Sequence, residues 1–280
     1  MRYLRFILDG KTQTGVREGD RIRVLGDMPL ETLLANGNDL EAWAGTVDGG
    51  VMVTDADVTF LPVLQQPPKL LCIGLNYADH TRESKLEQPK YPTVFPRYDT
   101  SLTGHGRPIV RPRVSDSLDF EGEFAVILKS GGRHIAKDKA LDHVAGYALF
   151  NDGSVREYQF VAPQWTMGKN FDQTGAFGPE LVTASEVPAG ARGLTLETRL
   201  NGEVVQSAST DTLIFDVATL ISTLSEAITL EAGDVIVTGT PSGVGWAREP
   251  KLVMRAGDVC EVSLTGFATL RNPIADESQR

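Results

Sequence analysis

The sequence predicts a β-rich α+β protein, with a small N-terminal β-rich domain over residues 1–67 and a larger domain over 68–280 whose strands pack around one helix. Three observations predict it. Short apolar runs bounded by Gly, Asp and Asn turns recur along the chain, as in "KLLCIGL", "AGYALFND", "GDVIVTG" and "GDVCEVSL". One longer stretch, "FDVATLISTLSEAITLEAG", spaces Val217, Leu220, Ile221, Leu224 and Ile228 as a helix does. Strands and helices do not alternate regularly, which disfavours a doubly wound parallel sheet.

Taken in order, "YLRFILDGKTQTGVREGDRIRVL" reads as strands separated by turns at Asp9-Gly10 and Gly19-Asp20. "LETLLANGNDLEAW" supplies one or two short helices. The proline-bearing "LPVLQQPPKLL" is a connector, which puts the domain boundary near Gln65–Pro68. Beyond it "KLLCIGL", "FEGEFAVIL" and "DHVAGYALFND" are strand-like, and Asn201-Gly202 divides a hairpin in "TLETRLNGEVVQS". Asp216 suits the N-cap of the helix and Gly233 lies shortly after its end.

Bulk properties narrow the function. The 280 residues are 41% hydrophobic and 23% charged, as in ordinary globular proteins. A net charge of −10 without a basic run argues against nucleic acid or anionic membrane as partner. No apolar run approaches the ~20 residues that cross a bilayer, and "MRYLRFILDG" does not read as a signal peptide. Cys72 and Cys260 fall in apolar runs as buried, reduced thiols, which suits a cytoplasmic protein. With His80, His105, His134 and His143 scattered and no Cys pair, zinc is disfavoured.

"LDFEGEFAVIL", residues 118–128, holds two carboxylates in a run that otherwise reads as a buried strand. Side chains two apart share a strand face, so Glu121 and Glu123 point together, opposite Phe120, Gly122 and Phe124. Burying adjacent like charges without a partner is costly, so the face is either wet or carries a cation. Asp152, ending "AGYALFND", offers a third carboxylate. Three hard oxygen donors suit Mg²⁺, Mn²⁺ or Ca²⁺, and against a divalent ion they leave one negative charge in excess. A solvated strand face is the other reading.

In "GLNYADHTRESK", His80 and Glu83 meet if the segment forms a helical turn, where a carboxylate can orient an imidazole as a water-activating base. A charged surface turn is the alternative. "QWTMGKNFD" sets Lys169 near Trp165 and Phe171, and Arg97 in "VFPRYDTSL" suits pairing with a carboxylate. The Gly-rich "TGTPSGVG", residues 238–245, can bring backbone N–H groups and the Thr240 hydroxyl to an anion. It matches neither the phosphate-loop, the dinucleotide nor the nucleophile-elbow pattern, and also reads simply as a turn.

The succession "IGLNYADH", "DFEGEFAVIL", "AGYALFND", "QWTMGKNFD", "GPELVTASE", "LNGEVVQ" and "GDVIVTGTPSGVG" resembles the fumarylacetoacetate hydrolase family over roughly residues 68–273. The resemblance implies mixed β-sheets rolled around a central helix, in a homodimer. It implies Mg²⁺ or Mn²⁺ on Glu121, Glu123 and Asp152, a His–Glu pair at His80 and Glu83 in a mobile lid, and the motif lysine at Lys169. Substrate contacts fall on Tyr77, Arg97, Arg156, Gln159 and Thr240. Gly153, Val155 and Glu157 depart from residues common in relatives, as does Arg97, where many have lysine.

The family acts on 2-oxo acids, so the resemblance implies a small anionic substrate. The expected reaction is hydrolysis of a C–C bond in a β-diketo acid of acylpyruvate or fumarylpyruvate type. His80, oriented by Glu83, would activate water against the distal carbonyl. Lys169 and Gln159 would stabilise the oxyanion, Arg97 or Arg156 would hold a remote carboxylate, and a metal-stabilised enolate would leave. The same residues suit decarboxylation of oxaloacetate or a related 2-oxo diacid, or isomerisation or hydration of a dienoate from aromatic catabolism. A non-catalytic metal- or oxo-acid-binding protein is the remaining alternative.

Overall fold

The computed structural model describes residues 1–47, 49–83 and 87–278. Among them, a twelve-stranded mixed sheet and a five-stranded sheet dominate, and helices are few and mostly short. The large sheet runs from Met52–Val53 through Arg21–Gly26, Lys11–Glu18 and Arg2–Leu8 to Gly175–Thr183, Val144–Asp152 and Gly122–Leu128. It ends with Val235–Val237, Leu70–Gly74 and Thr93–Pro96, while Thr59–Phe60 and Leu102–Thr103 pair off this path. The smaller sheet orders Glu203–Ser209, Thr195–Leu200, Val259–Leu264, Leu270–Asp276 and Ile109–Arg111.

Two hairpins follow directly from their turn residues. Asp9 and Gly10 adopt φ of 48° and 74°, and Asn201 and Gly202 adopt 53° and 83°. Such paired left-handed residues make the turn whose twist matches the flanking strands. The predicted helix spans Val217–Ala227, with Asp216 accepting the Thr219 N–H at 2.8 Å. Val217, Leu220, Ile221 and Leu224 are buried on one stripe.

The pleat of Gly122–Leu128 divides two cores. Phe124, Val126 and Leu128 enter a core shared with that helix and with Leu196, Val262 and Leu264 of the five-stranded sheet. Ala125 and Ile127 enter the opposite core, closed by Leu30, Leu33, Leu34 and Leu40 of the helices Leu30–Ala35 and Leu40–Gly45. Residues 1–67 are hydrogen-bonded into the large sheet, Arg2 and Tyr3 pairing with Val182 and Leu181. Buried Glu180 meets Arg2 Nη1 at 2.8 Å and Arg17 Nε at 3.3 Å.

One predicted element differs. The run 118–128 is two strands, Leu118–Asp119 and Gly122–Leu128, because the first pairs with Ser154–Val155 and the second with Val144–Asp152. Phe120 and Glu121 form the corner between them. Cys72 and Cys260 are free and buried. Among the described residues, no helix is long and apolar enough to cross a membrane.

Candidate active site

The corner in 118–128 and the end of Val144–Asp152 bring three carboxylates together. Glu121, Glu123 and Asp152 each offer a ligand oxygen, all within 4.8 Å of one another, and all three residues are buried. Antiparallel pairing sets the distance, since Glu123 lies opposite Phe150 and the Asp152 N–H donates to the Glu121 carbonyl at 2.8 Å. Glu121 and Glu123 sit on the face opposite Phe120 and Phe124, which enter the first core.

Cations surround the triad. Lys169 Nζ donates to Glu121 Oε2 and Asp152 Oδ2, each at 2.6 Å. Arg156 Nη1 donates to Glu121 Oε1 at 2.6 Å and to Gln159 Oε1 at 2.8 Å. Burial alone would raise the Glu121 carboxyl, but Lys169 and Arg156 outweigh it and hold the group at about 2. Glu123 goes the other way, pushed well above the usual range by burial and by the Asp152 and Glu121 charges, although Gly239 N–H donates to it. Burial opposes the Lys169 charge, yet Asp152 and Glu121 keep its ammonium above the ordinary lysine value.

His80 and Glu83 lie on the helical turn Ala78–Glu83. His80 Nδ1 is 3.6 Å from Glu83 Oε2, just beyond hydrogen-bond reach. The Gly243 N–H of the Gly-rich loop approaches both Glu83 oxygens, at 3.1 and 2.9 Å. Burial would raise Glu83, but His80 and this N–H lower it below the ordinary value. Ser84 and Lys85, at the end of the quoted motif, lie outside the described residues.

A cavity of about 400 Å³ joins these groups, lined among others by His80, Glu83, Glu121, Glu123, Lys169 and Thr240. Arg156 and Gln159 also line it. The Thr240 hydroxyl donates to the Gly122 carbonyl at 3.0 Å and accepts from Gln206 Nε2 at 2.8 Å, which fixes the loop against the triad's strand. Tyr77 is buried, bridged to Leu213 and outside the cavity wall. Burial, with Glu123 nearby, pushes its phenol up.

Arg97 is not where a substrate contact would be. Its buried guanidinium donates to Asp152 Oδ1 at 2.5 Å, Gly153 O at 3.1 Å, Thr174 Oγ1 at 2.8 Å and Ser101 Oγ at 3.2 Å. It does not line the cavity. The side chain orients Asp152 from behind, and protein acceptors take up its donors.

Sequence reasoning missed Asp119. Fully buried, it accepts the N–H groups of Phe120 and Gly245 on Oδ1 and that of Trp246 on Oδ2, each at 2.9 Å. Arg156 Nε also donates to Oδ2 at 2.9 Å, with Nη2 2.7 Å from the same oxygen. Asp119 thus ties Arg156 to the loop that walls the cavity. The available signal was its place two residues before Glu121, in step with both glutamates. Gln206 was missed as well, because its partners Gly122 and Thr240 are far off in sequence.

The donor set fits a hard divalent ion. Asp119, Glu121, Glu123 and Asp152 face Arg97, Arg156 and Lys169, so four carboxylates meet three cations and one negative charge is in excess. A divalent ion together with a monoanionic ligand head brings the cluster to neutrality, which a buried site requires.

Comparison with known proteins agrees with this architecture. Residues 69–275 match the family model described as fumarylacetoacetate (FAA) hydrolase C-terminal. The chain is 40% identical over 252 residues to the oxaloacetate tautomerase YisK of Bacillus subtilis (strain 168), covering 87% of this chain and 83% of that one. It is 40% identical over 221 residues to the Homo sapiens mitochondrial oxaloacetate tautomerase FAHD2A, covering 78% and 70%. Among solved structures, a fumarylacetoacetate hydrolase from psychrophilic Exiguobacterium antarcticum superposes with a TM-score of 0.86 at 35% identity, covering 99% and 100%. A maleylpyruvate hydrolase from Sphingobium sp. SYK-6, in complex with manganese(II) and pyruvate, superposes with 0.82 at 26% identity, covering 99% and 100%.

Proposed function

Because the chain belongs to the fumarylacetoacetate hydrolase family, we propose that it is a divalent-metal-dependent enzyme that moves a proton between C3 and the 2-oxo oxygen of a 2-oxo acid. Keto–enol tautomerisation of oxaloacetate is the reaction to assay. One observation carries the reading: His80, backed by Glu83, opens into the same cavity as Glu121 and Glu123 of the carboxylate triad. The 40% identity to two oxaloacetate tautomerases supports this choice of reaction.

In the enol-to-keto direction an O–H bond on the 2-oxygen breaks and a C–H bond forms at C3. The 2-hydroxyl proton passes to His80, which returns it to C3, so one proton is moved and none is gained or lost, while Glu83 beside Nδ1 orients the ring. Lys169 and Gln159 stand near the triad as donors for the developing oxyanion. Arg156 and Arg97 hold Glu121 and Asp152 in place. Glu121, Glu123 and Asp152 would hold Mg²⁺ or Mn²⁺, which supplies Lewis acidity toward the 2-oxo group.

The test follows the ultraviolet absorbance of enol-oxaloacetate with Mg²⁺ or Mn²⁺. Wild type should accelerate ketonisation above the metal-only rate, and His80→Ala should lose about 10²-fold or more while keeping its thermal shift on Mn²⁺ addition. Equal rates in wild type and His80→Ala would overturn the role of His80. No acceleration at all would overturn the reaction.

A second reading, C–C hydrolysis of a larger β-diketo acid by water activated at His80, is supported by the about 400 Å³ cavity, roomy for a four-carbon diacid. Metal-dependent release of acetate and pyruvate from acetylpyruvate would select it. We also infer a homodimer, which light scattering tests.

A further inference from the structure

The strand Leu70–Gly74 runs parallel to Val235–Val237, which in turn runs antiparallel to Gly122–Leu128. The chain therefore leaves Gly74 at the end of the sheet where Glu123 emerges. It leaves through Leu75, whose φ of 58° is costly for a bulky side chain and persists where the surroundings enforce it. The next residue, Asn76, supplies that enforcement. His80 follows in the helical turn Ala78–Glu83.

Asn76 is fully buried, and both its amide oxygen and its amide nitrogen are engaged. Oδ1 accepts the Phe215 N–H at 2.7 Å, while Nδ2 donates to Phe215 O at 3.0 Å and Thr238 O at 2.7 Å. Reversing the amide would set its NH₂ against that N–H and its oxygen against two carbonyls, so the network fixes its orientation. The backbone around it is tied as well. The Ile214 N–H donates to Asn76 O at 2.8 Å, and Tyr77 bridges to Leu213. Thr238 is held independently, its N–H and hydroxyl donating to Phe124 O at 3.1 and 2.8 Å. Its neighbour Gly239 donates an N–H to Glu123. One side chain therefore joins the root of the His80 turn to the loop that touches the triad.

We propose that Asn76 is a positioning residue for the proton transfer, setting where His80 stands relative to the carboxylate triad. This rests on the reading above that His80 moves the proton. The other end of the turn is fastened by Glu83 to the Gly243 N–H, so Asn76 and Glu83 fix His80 from both sides. Without the Asn76 amide, Leu75 is free to relax from its left-handed conformation, and the root of the turn moves. The triad stays in place, because Thr238 keeps its own bonds to Phe124. An ionised aspartate would not substitute, having no donor for the Phe215 and Thr238 carbonyls.

The experiment uses Asn76→Ala, which removes the amide, and Asn76→Leu, which removes its hydrogen bonds while keeping its approximate shape. The first readout is the ring ¹⁵N signals of labelled histidine, with His80, one of four, assigned by its loss in His80→Ala. In both variants the His80 signals should shift, while those of His105, His134 and His143 hold. The second readout is ketonisation of enol-oxaloacetate with Mn²⁺. The kcat should fall about 10²-fold, the order expected when a reacting group is displaced by about 1 Å. KM and the thermal shift on Mn²⁺ addition should be retained. Unmoved His80 signals, or shifted signals with an undiminished kcat, overturn the proposal. Loss of the Mn²⁺ shift along with kcat, or failure of both variants to fold, assigns Asn76 to the fold alone and overturns it too. Ketonisation by wild type with unmoved signals removes the positioning alone, whereas shifted signals without ketonisation by wild type remove the reaction and leave the placement of His80.

Discussion

Asp119→Asn tests whether the cavity is held from behind by the charge of Asp119. The native carboxylate receives three backbone N–H groups and the Arg156 guanidinium. Asparagine keeps one acceptor oxygen and turns an NH₂ group toward donors on the other side. With its oxygen toward Phe120 and Gly245, the Trp246 N–H and Arg156 Nε lose their acceptor. Removing one member of a buried ion pair costs about 3–5 kcal/mol, and retention of Glu121 by Arg156 places this case near the lower end. For a chain of this size that corresponds to a Tm lower by roughly 10 °C. Groups that orient metal ligands through a neighbour typically contribute about 10–100-fold in affinity or activity, so Mn²⁺ affinity should fall by that order. The assays are thermal unfolding and Mn²⁺ titration. Asp211→Asn, which removes only an exposed pair with Arg192, is the control and should move stability by about 0.5 kcal/mol or less. Burial raises the Asp119 carboxyl above its ordinary value while Arg156 and the Trp246 N–H pull it down. If Asp119 were neutral in the fold, asparagine would be nearly isosteric, and an unchanged Tm with unchanged Mn²⁺ affinity would refute the ion-pair argument.

Three further outcomes are expected. Mg²⁺ or Mn²⁺ at a hundred times its dissociation constant should stabilise the protein by about 2.7 kcal/mol, and chelation should reverse the gain. Glu123→Ala should abolish the shift in a melting experiment, and an undiminished shift would place the ion elsewhere. Asp216→Ala should cost about 1 kcal/mol at pH 7 through loss of the helix cap. Burial would raise Asp216, but Thr219 and Lys137 hold it below its ordinary value, so its contribution is complete above about pH 4 and is lost as pH falls through the folded value. Urea melts of wild type and variant should therefore move closer together in acid, and a gap that does not narrow there would contradict the contribution of the cap's charge. Burial pushes Cys260 up to about 12 and Cys72 well above its ordinary value, so thiol reagents at pH 8 should label both only at the rate of unfolding. Rapid labelling of the folded protein would show an exposed thiolate.

Local pattern accounts for what the sequence revealed. Period-two alternation put Glu121 and Glu123 on one face, and Asn201-Gly202 and Asp9-Gly10 named their own turns, because each of these depends on residues within a few positions. Pairings across the chain left no such trace. The bond from Arg2 and Tyr3 to Val182 and Leu181 joins segments about 180 residues apart, and nothing in "RYLRF" points there. Arg97 shows the same gap at the site. Its residue type correctly announced a carboxylate partner, but the partner is Asp152, 55 positions on, and not a substrate.

That gap changes the electrostatics of the site. Counted from sequence, three carboxylates and a divalent ion leave one negative charge, which would repel the anionic substrate that the ion is meant to hold. The folded cluster adds Asp119 to the acids and Arg97, Arg156 and Lys169 to the cations. With the same ion it is left with one positive charge, in a buried site where low dielectric makes that sign decisive. Arg97, Arg156 and Lys169, less the charge of Asp119, therefore reverse the field a 2-oxo acid meets. Arg97→Met should accordingly weaken pyruvate binding to the Mg²⁺-loaded protein more than it weakens Mg²⁺ binding, because it subtracts the positive charge that the anion needs while sparing the three ligand carboxylates. Calorimetry on both ligands checks this, and equal loss for the two, or loss of Mg²⁺ alone, would mean that Arg97 acts only by orienting Asp152.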